Sequence, residues 1–181
     1  MGLVPRPARF HIFVGLIASL ALSLAVAAPA SAAPCKHRNL KPTTSNPAKV
    51  RSAVRCLVNR ERSNRGIAKL KYSGALTKAA QRHSKKMVSM HFFDHVAPNG
   101  STPQSRANAA GYPGSFVGEN IAWGSGTLAT ARKIVISWMD STPHRANILN
   151  PQYRHQGVGV ATGNPQGGSG ATYTDMFGNK P

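Results

Sequence analysis

Two β-rich segments close the chain, GVGVAT (157–162) and ATYTDMF (171–177), while the apolar residues before them are spaced mainly for helices. The loop between the two, GNPQGGSG, is turn chemistry, so the pair reads as an antiparallel hairpin. Upstream, Val50, Ala53, Val54, Leu57 and Val58 recur at i, i+3, i+4, i+7 and i+8, one stripe of a helix that starts near residue 48. Asn46 can cap it, Pro47 fits its first position, and Gly66 ends it. A second helix is expected from about Ser73 to His91, with Leu76, Ala79, Ala80, His83, Met87 and Met90 inward and Lys78, Arg82, Lys85 and Lys86 on another face. APNGSTPQ (97–104) is a turn, 103–110 a short helix ending at Gly111, and FVGENIAWG (116–124) a strand or extended segment. Leu128 to Trp138 reads as a third amphipathic helix, with Leu128, Ala131, Val135 and Trp138 on its stripe, and PHRANIL (143–149) as another short one. Helices first and antiparallel strands late predict an α+β fold whose helices flank the sheet on both sides.

The N-terminal residues are expected to lie outside that fold. Arg6 and Arg9 precede an uncharged run from Ile12 to Ala28, and Ala30-Ser31-Ala32 is an A-x-A site. This order reads as a secretory signal peptide over 1–32, with cleavage after Ala32; a transmembrane anchor is the competing reading. Pro34 before Cys35 argues against a lipoprotein. The expected product is one secreted, soluble domain over 48–181, preceded by a proline-rich arm over 33–47. In an oxidising compartment Cys35 and Cys56, the only two cysteines, are expected to pair, the alternative being two free thiols.

Charge is concentrated early. Residues 36–86 hold 15 Lys and Arg against the single acid Glu61, a net of +14. Such a field draws polyanions, and for an exported protein these are anionic wall polymers or lipid headgroups. A solvated basic face kept for solubility is the plainer reading. Nucleic acid is disfavoured by the export signal and the lack of a reading motif.

The chain lacks H-E-x-x-H, G-x-S-x-G, S-x-x-K and any Gly-Lys dipeptide, which removes support for a zincin, a serine hydrolase or a P-loop. His83 reads as a core histidine. His95 follows the second helix, and His144 is expected at the second position of its helix, with Thr142 as cap, where the dipole keeps its ring neutral. Arg145, poorly placed for the same dipole, needs a partner: Asp140 or a chain carbonyl. Glu119 sits in an apolar stretch with no Lys or Arg within ten residues, yet a half-buried carboxylate needs hydrogen bonds, a cation or a metal. Glu119 capping backbone amides, or pairing with a distant Arg, is one reading. Convergence of His95, Glu119 and His144 into the two-imidazole, one-carboxylate set of an open Zn²⁺ site is the other.

LVNRERSNRGIAKLKYSGALTKAAQRHSKKM, then FFDH, GENIA and SWMDSTPHRANILNPQYRHQGVGVA, occur in an order that resembles the CAP superfamily (cysteine-rich secretory proteins, antigen 5 and pathogenesis-related 1 proteins, also called SCP-like). The resemblance is to its compact bacterial extracellular branch and spans about residues 50–178. It implies an α-β-α sandwich with a central antiparallel sheet. It also implies a cleft lined by histidines and acids that in some relatives holds a divalent ion, here His95, Glu119 and His144, with Asn120, Asp140, Ser141 and Arg145 as neighbours. A second glutamate carried by relatives falls at Ser141 here, so a four-residue cluster is not expected. The resemblance defines no common reaction. The expectation is a non-enzymatic extracellular binding protein, monomeric, for a divalent metal or an apolar lipid- or sterol-type ligand; the alternative is a metal-dependent, protease-like hydrolase using the same cleft.

Overall fold

The computed structural model describes residues 1–2 and 33–179, so the expected signal peptide lies outside the described residues. The chain divides into a unit ending at Ala33 and a unit from Pro34 onward; the second carries the fold described below.

Helix α1 spans Pro47–Ser63, β1 Lys71–Tyr72, α2 Gly74–Ser89, α3 Pro103–Ala109 and β2 Val117–Gly124. A 3₁₀ turn over Gly126–Ala129 leads to α4 (Ala131–Asp140), α5 (Thr142–Leu149), β3 (Tyr153–Thr162) and β4 (Ala171–Asn179). The four strands lie in the order β1-β3-β4-β2. The β3–β4 hairpin and the β2–β4 pair are antiparallel; only the two-residue β1 runs parallel to β3. This is the expected α+β sandwich.

Alternation along the strands sorts the core into two layers. Tyr173 and Phe177 of β4 face the cluster built by α1, α4 and α5, where Val54, Leu57, Trp138 and Ile148 are buried. Met176 faces the other way, onto Leu76, Ala79 and Ala80 of α2 and Ala107 of α3. Gly157 and Gly159 of β3 let α2 lie directly on the strand: a Cβ at either would overlap the backbone near Leu76 or Ala80.

Several boundaries differ from expectation for local reasons. The α1 stripe is buried as predicted, but it continues to Arg62, whose guanidinium is fully buried. Arg62 Nε donates to Ala68 O at 2.8 Å, Nη1 to Ile148 O at 2.7 Å and Asn150 O at 2.9 Å, and Nη2 to Tyr153 O at 3.2 Å. Asn46 flanks α1 without a side-chain cap bond; its amide instead donates to Lys41 O at 3.0 Å, folding the arm back on itself. Met90 falls just past the end of α2 and is 52% exposed, not inward. Leu128 is also exposed, because the chain there is a 3₁₀ turn and the third long helix starts only at Ala131.

The arm is fastened at several points. Cys35 is bonded to Cys56 of α1, Leu40 packs on the core, and Arg38 O accepts from Arg132 N at 2.9 Å. Beyond Gln156 the outer edge of β3 has no partner strand among the described residues. Gln81 of α2 covers it: its Nε2 donates to Val160 O at 2.8 Å and its Oε1 accepts from Val160 N at 3.2 Å. Among the described residues no helix is long and apolar enough to cross a membrane.

Candidate functional site at the β2 edge

β2 is the outer strand on its side of the sheet, so adjacent residues serve the two helical layers. Glu119, paired with Met176, faces α2 and α3, whereas Asn120, paired with Asp175, faces α5. Each finds its partners there.

Glu119 is buried at 5% exposure, and each of its oxygens accepts a hydrogen bond. His95 Nδ1–H donates to Oε1 at 2.8 Å, and Arg106 Nη2–H donates to Oε2 at 2.7 Å. His83 Nε2 stands 3.8 Å from Oε1. The carboxylate in an apolar stretch is therefore answered by an arginine thirteen residues upstream, and His95 completes its coordination. Two further bonds hold these donors. Arg106 Nη1 donates to Ser101 O at 2.6 Å, and His83 Nε2–H donates to Asp94 O at 2.9 Å, fixing the loop that carries His95. That loop leaves α2 after Ser89 and passes through His91, a non-glycine residue at φ 51°.

On the other face, Asn120 Nδ2 donates to His144 O at 2.9 Å, and Asn147 Nδ2 donates both to Asn120 Oδ1 at 2.9 Å and to Glu119 O at 3.2 Å. These three bonds clamp the first turns of α5 to β2. His144 thus reaches the strand edge from the α5 side and His95 from the α2 side. The cap of α5 is Ser141 rather than Thr142, and Ser141 also ends α4; His144 is accordingly the third helical residue, not the second. Arg145 takes the carbonyl alternative, donating from Nη1 to Met139 O at 3.0 Å. Asp140 turns away to an exposed position beside a groove it shares with Glu61 of α1 and Arg132 of α4.

The two imidazoles titrate in opposite directions. The hydrogen bond to Glu119 pushes His95 above the ordinary histidine range. Burial pulls His144 below it, and the nearby charge of His95 adds in the same sense. Desolvation thus favours the neutral ring of His144. Burial also lowers His83.

A metal fits this arrangement poorly. Among the described residues no three His, Cys, Asp or Glu side chains gather into a group able to hold an ion. Glu119 accepts one hydrogen bond on each oxygen and its side chain is 1% exposed, so an ion could reach it only by displacing one of those donors. Arg106, His83 and Asn147 were not foreseen. Arg106 had one available signal, the distant cation that an isolated carboxylate demands; Asn147 had none.

Residues 56–174 match the family model for the cysteine-rich secretory protein family, CAP. The Bacillus subtilis (strain 168) protein YkwD is 34% identical over 151 residues, which is 82% of this chain and 55% of that protein. An extracellular protein containing an SCP domain from Bacillus anthracis str. Ames superposes with a TM-score of 0.62 at 26% identity, over 82% of this chain and 44% of that one. An outer surface protein from Borrelia burgdorferi shares the fold with a TM-score of 0.65 at 18% identity, over 78% of this chain and 98% of that one. The chain thus spans about half the length of the two Bacillus proteins.

Proposed function

Since this chain belongs to the CAP family of cysteine-rich secretory proteins, we propose that it is an extracellular domain that works by binding rather than by turnover. One observation carries this reading: Glu119 accepts a hydrogen bond on each carboxylate oxygen, from His95 and from the Arg106 guanidinium. A general base needs an oxygen ready to take a proton, and a metal-bound carboxylate needs one ready to coordinate. The Glu119 side chain is only 1% exposed, so neither a substrate nor an ion reaches it without displacing His95 or Arg106, and its role is to orient His95 and join α3 to β2. His95 and His144, near enough for the charge of one to act on the other, would then be presented to a ligand at the β2 edge. Phe93 and Val96, 44% and 48% exposed on either side of His95, add an apolar rim suited to a lipid-like molecule. The basic segment 36–86 would hold the secreted domain on anionic wall polymer or a lipid surface.

Two measurements test this. The protein is expected to turn over none of a broad panel of peptides and esters, with or without added Zn²⁺; metal-dependent turnover abolished by His144→Ala would overturn it. Adsorption to anionic vesicles or wall polymer is expected to fall steeply between about 0.05 M and 0.5 M salt, as exposed charges are screened. Salt-insensitive adsorption would remove the surface-holding role.

A further inference from the structure

The loop that leaves α2 carries a run of exposed apolar side chains. Met90, Phe93 and Val96 are 52%, 44% and 48% exposed, all within residues 90–96. Single exposed apolar residues are ordinary, whereas a group of them marks contact with something less polar than water. The loop is held in this shape. Phe92 turns inward, edge-on to His83 with ring centroids 5.8 Å apart, and Phe92 N–H donates to Met87 O at 3.2 Å. His83 Nε2–H donates to Asp94 O at 2.9 Å, and Ala97 N–H donates to Ser101 O at 3.1 Å. With the loop pinned at both ends, Phe93 and Val96 stay outside.

A cationic row leads into this loop. Arg82, Lys86 and Met90 follow one another at i, i+4 and i+8 along α2 and its last turn, and Lys78 and Lys85 lie on the adjoining exposed strip. None of these four cations has a carboxylate partner among the described residues. The one acid in the loop, Asp94, accepts through Oδ1 from Val96 N–H at 2.8 Å. A soluble anionic polymer would engage the cations and leave Met90, Phe93 and Val96 in water. An anionic bilayer answers both features: its headgroup phosphates meet the cations, and its acyl boundary takes the apolar tips. The long stems of Arg82 and Lys86 let their charges stay at headgroup level while their apolar neighbours sink below it.

We propose that α2 and the 90–96 loop form a face that docks on an anionic lipid bilayer, with Met90, Phe93 and Val96 entering the interfacial layer and Arg82, Lys85 and Lys86 resting on the headgroups. The inference rests on the surface-holding part of the proposed function and narrows it: the surface is lipid, and the loop bearing His95 is the part that meets it.

Cosedimentation with phosphatidylglycerol vesicles, run beside adsorption to immobilised poly(glycerol phosphate), tests it. Met90→Ser/Phe93→Ser is expected to lower the vesicle partition coefficient about tenfold or more at every salt concentration, and to leave adsorption to the polymer unchanged. Arg82→Gln/Lys86→Gln is expected to flatten the salt dependence of vesicle binding. Ile136→Ser removes an exposed apolar side chain from α4, in the opposite helical layer, and is expected to change neither. An unaltered thermal midpoint shows that each variant is folded. Should Met90→Ser/Phe93→Ser lower that midpoint, Val96→Ser is the replacement, with a fall of about threefold expected. Equal vesicle binding by wild type and the folded loop variants, or equal weakening in Ile136→Ser, would overturn the lipid face while salt-sensitive adsorption kept the general surface-holding role. Absence of wild-type adsorption to both materials would overturn the two together.

Discussion

Glu119 shows how one side chain's needs can organise a neighbourhood. Its burial is tolerable because a guanidinium and an imidazole meet it in hydrogen-bonding geometry, and each donor is itself anchored, Arg106 by Ser101 O and the His95 loop through His83. Glu119→Gln is expected to lower the titration midpoint of His95 toward the ordinary imidazole value, followed by NMR of the ring protons. An unmoved midpoint would mean that the contact is absent in solution. The sign for stability follows. A histidine whose folded midpoint is raised contributes stability in full below the unfolded midpoint and loses it as pH climbs through the raised one. The difference in urea midpoint between wild type and Glu119→Gln should therefore be wider near pH 5.5 than near pH 8.5. His144 and His83, both lowered, act oppositely: their contributions are intact above the unfolded midpoint and fade as pH falls. Both rings remain in Glu119→Gln, but His83 loses the raising influence of the Glu119 charge and is lowered further, which moves the comparison in the same sense as His95.

Among the elements, the joints are set by polar side chains rather than by apolar pattern. Arg62 ends the α1 stripe and ties α1 to the 64–70 loop, to the end of α5 and to the start of β3 through four carbonyls. Arg62→Ala should cost about 3–5 kcal/mol by urea denaturation, since it orphans buried carbonyls and leaves a cavity. A loss under about 1 kcal/mol would show that water replaces the guanidinium readily. The same contrast decides what the sequence disclosed. Helices α1, α2 and α3 and the β3–β4 hairpin were legible from spacing and turn residues, because one buried face imposes a period. The α4 start was placed too early because Leu128 lies at helical spacing from Ala131 but belongs to a 3₁₀ turn. Arg62 sits four residues after Val58, on the stripe, yet a charged residue there reads as the end of burial. Convergence of His95 on Glu119 came from motif resemblance and the demands of a buried carboxylate, whereas the bonds from Arg106 and Asn147 span 13 and 28 residues and leave no trace in local pattern.

For the whole molecule, the Cys35–Cys56 bond decides whether residues 34–46 belong to the folded body. It closes a loop with a sequence separation of 21 and anchors the arm that Arg38 and Leu40 also attach. Reduction should cost roughly 3 kcal/mol, a fall in Tm of roughly 6–12 °C by calorimetry. No fall would mean that the arm adds nothing to the folded state. The same segment begins the run of positive charge, so the bond also keeps Lys36 and Lys41 close to the domain rather than on a free tail. The amide of Gln81 has a consequence at this scale as well. By answering both backbone groups of Val160, it imitates the neighbour strand that β3 lacks. One glutamine therefore closes a stretch of β3 edge to which the backbone of another chain could otherwise add as a further strand.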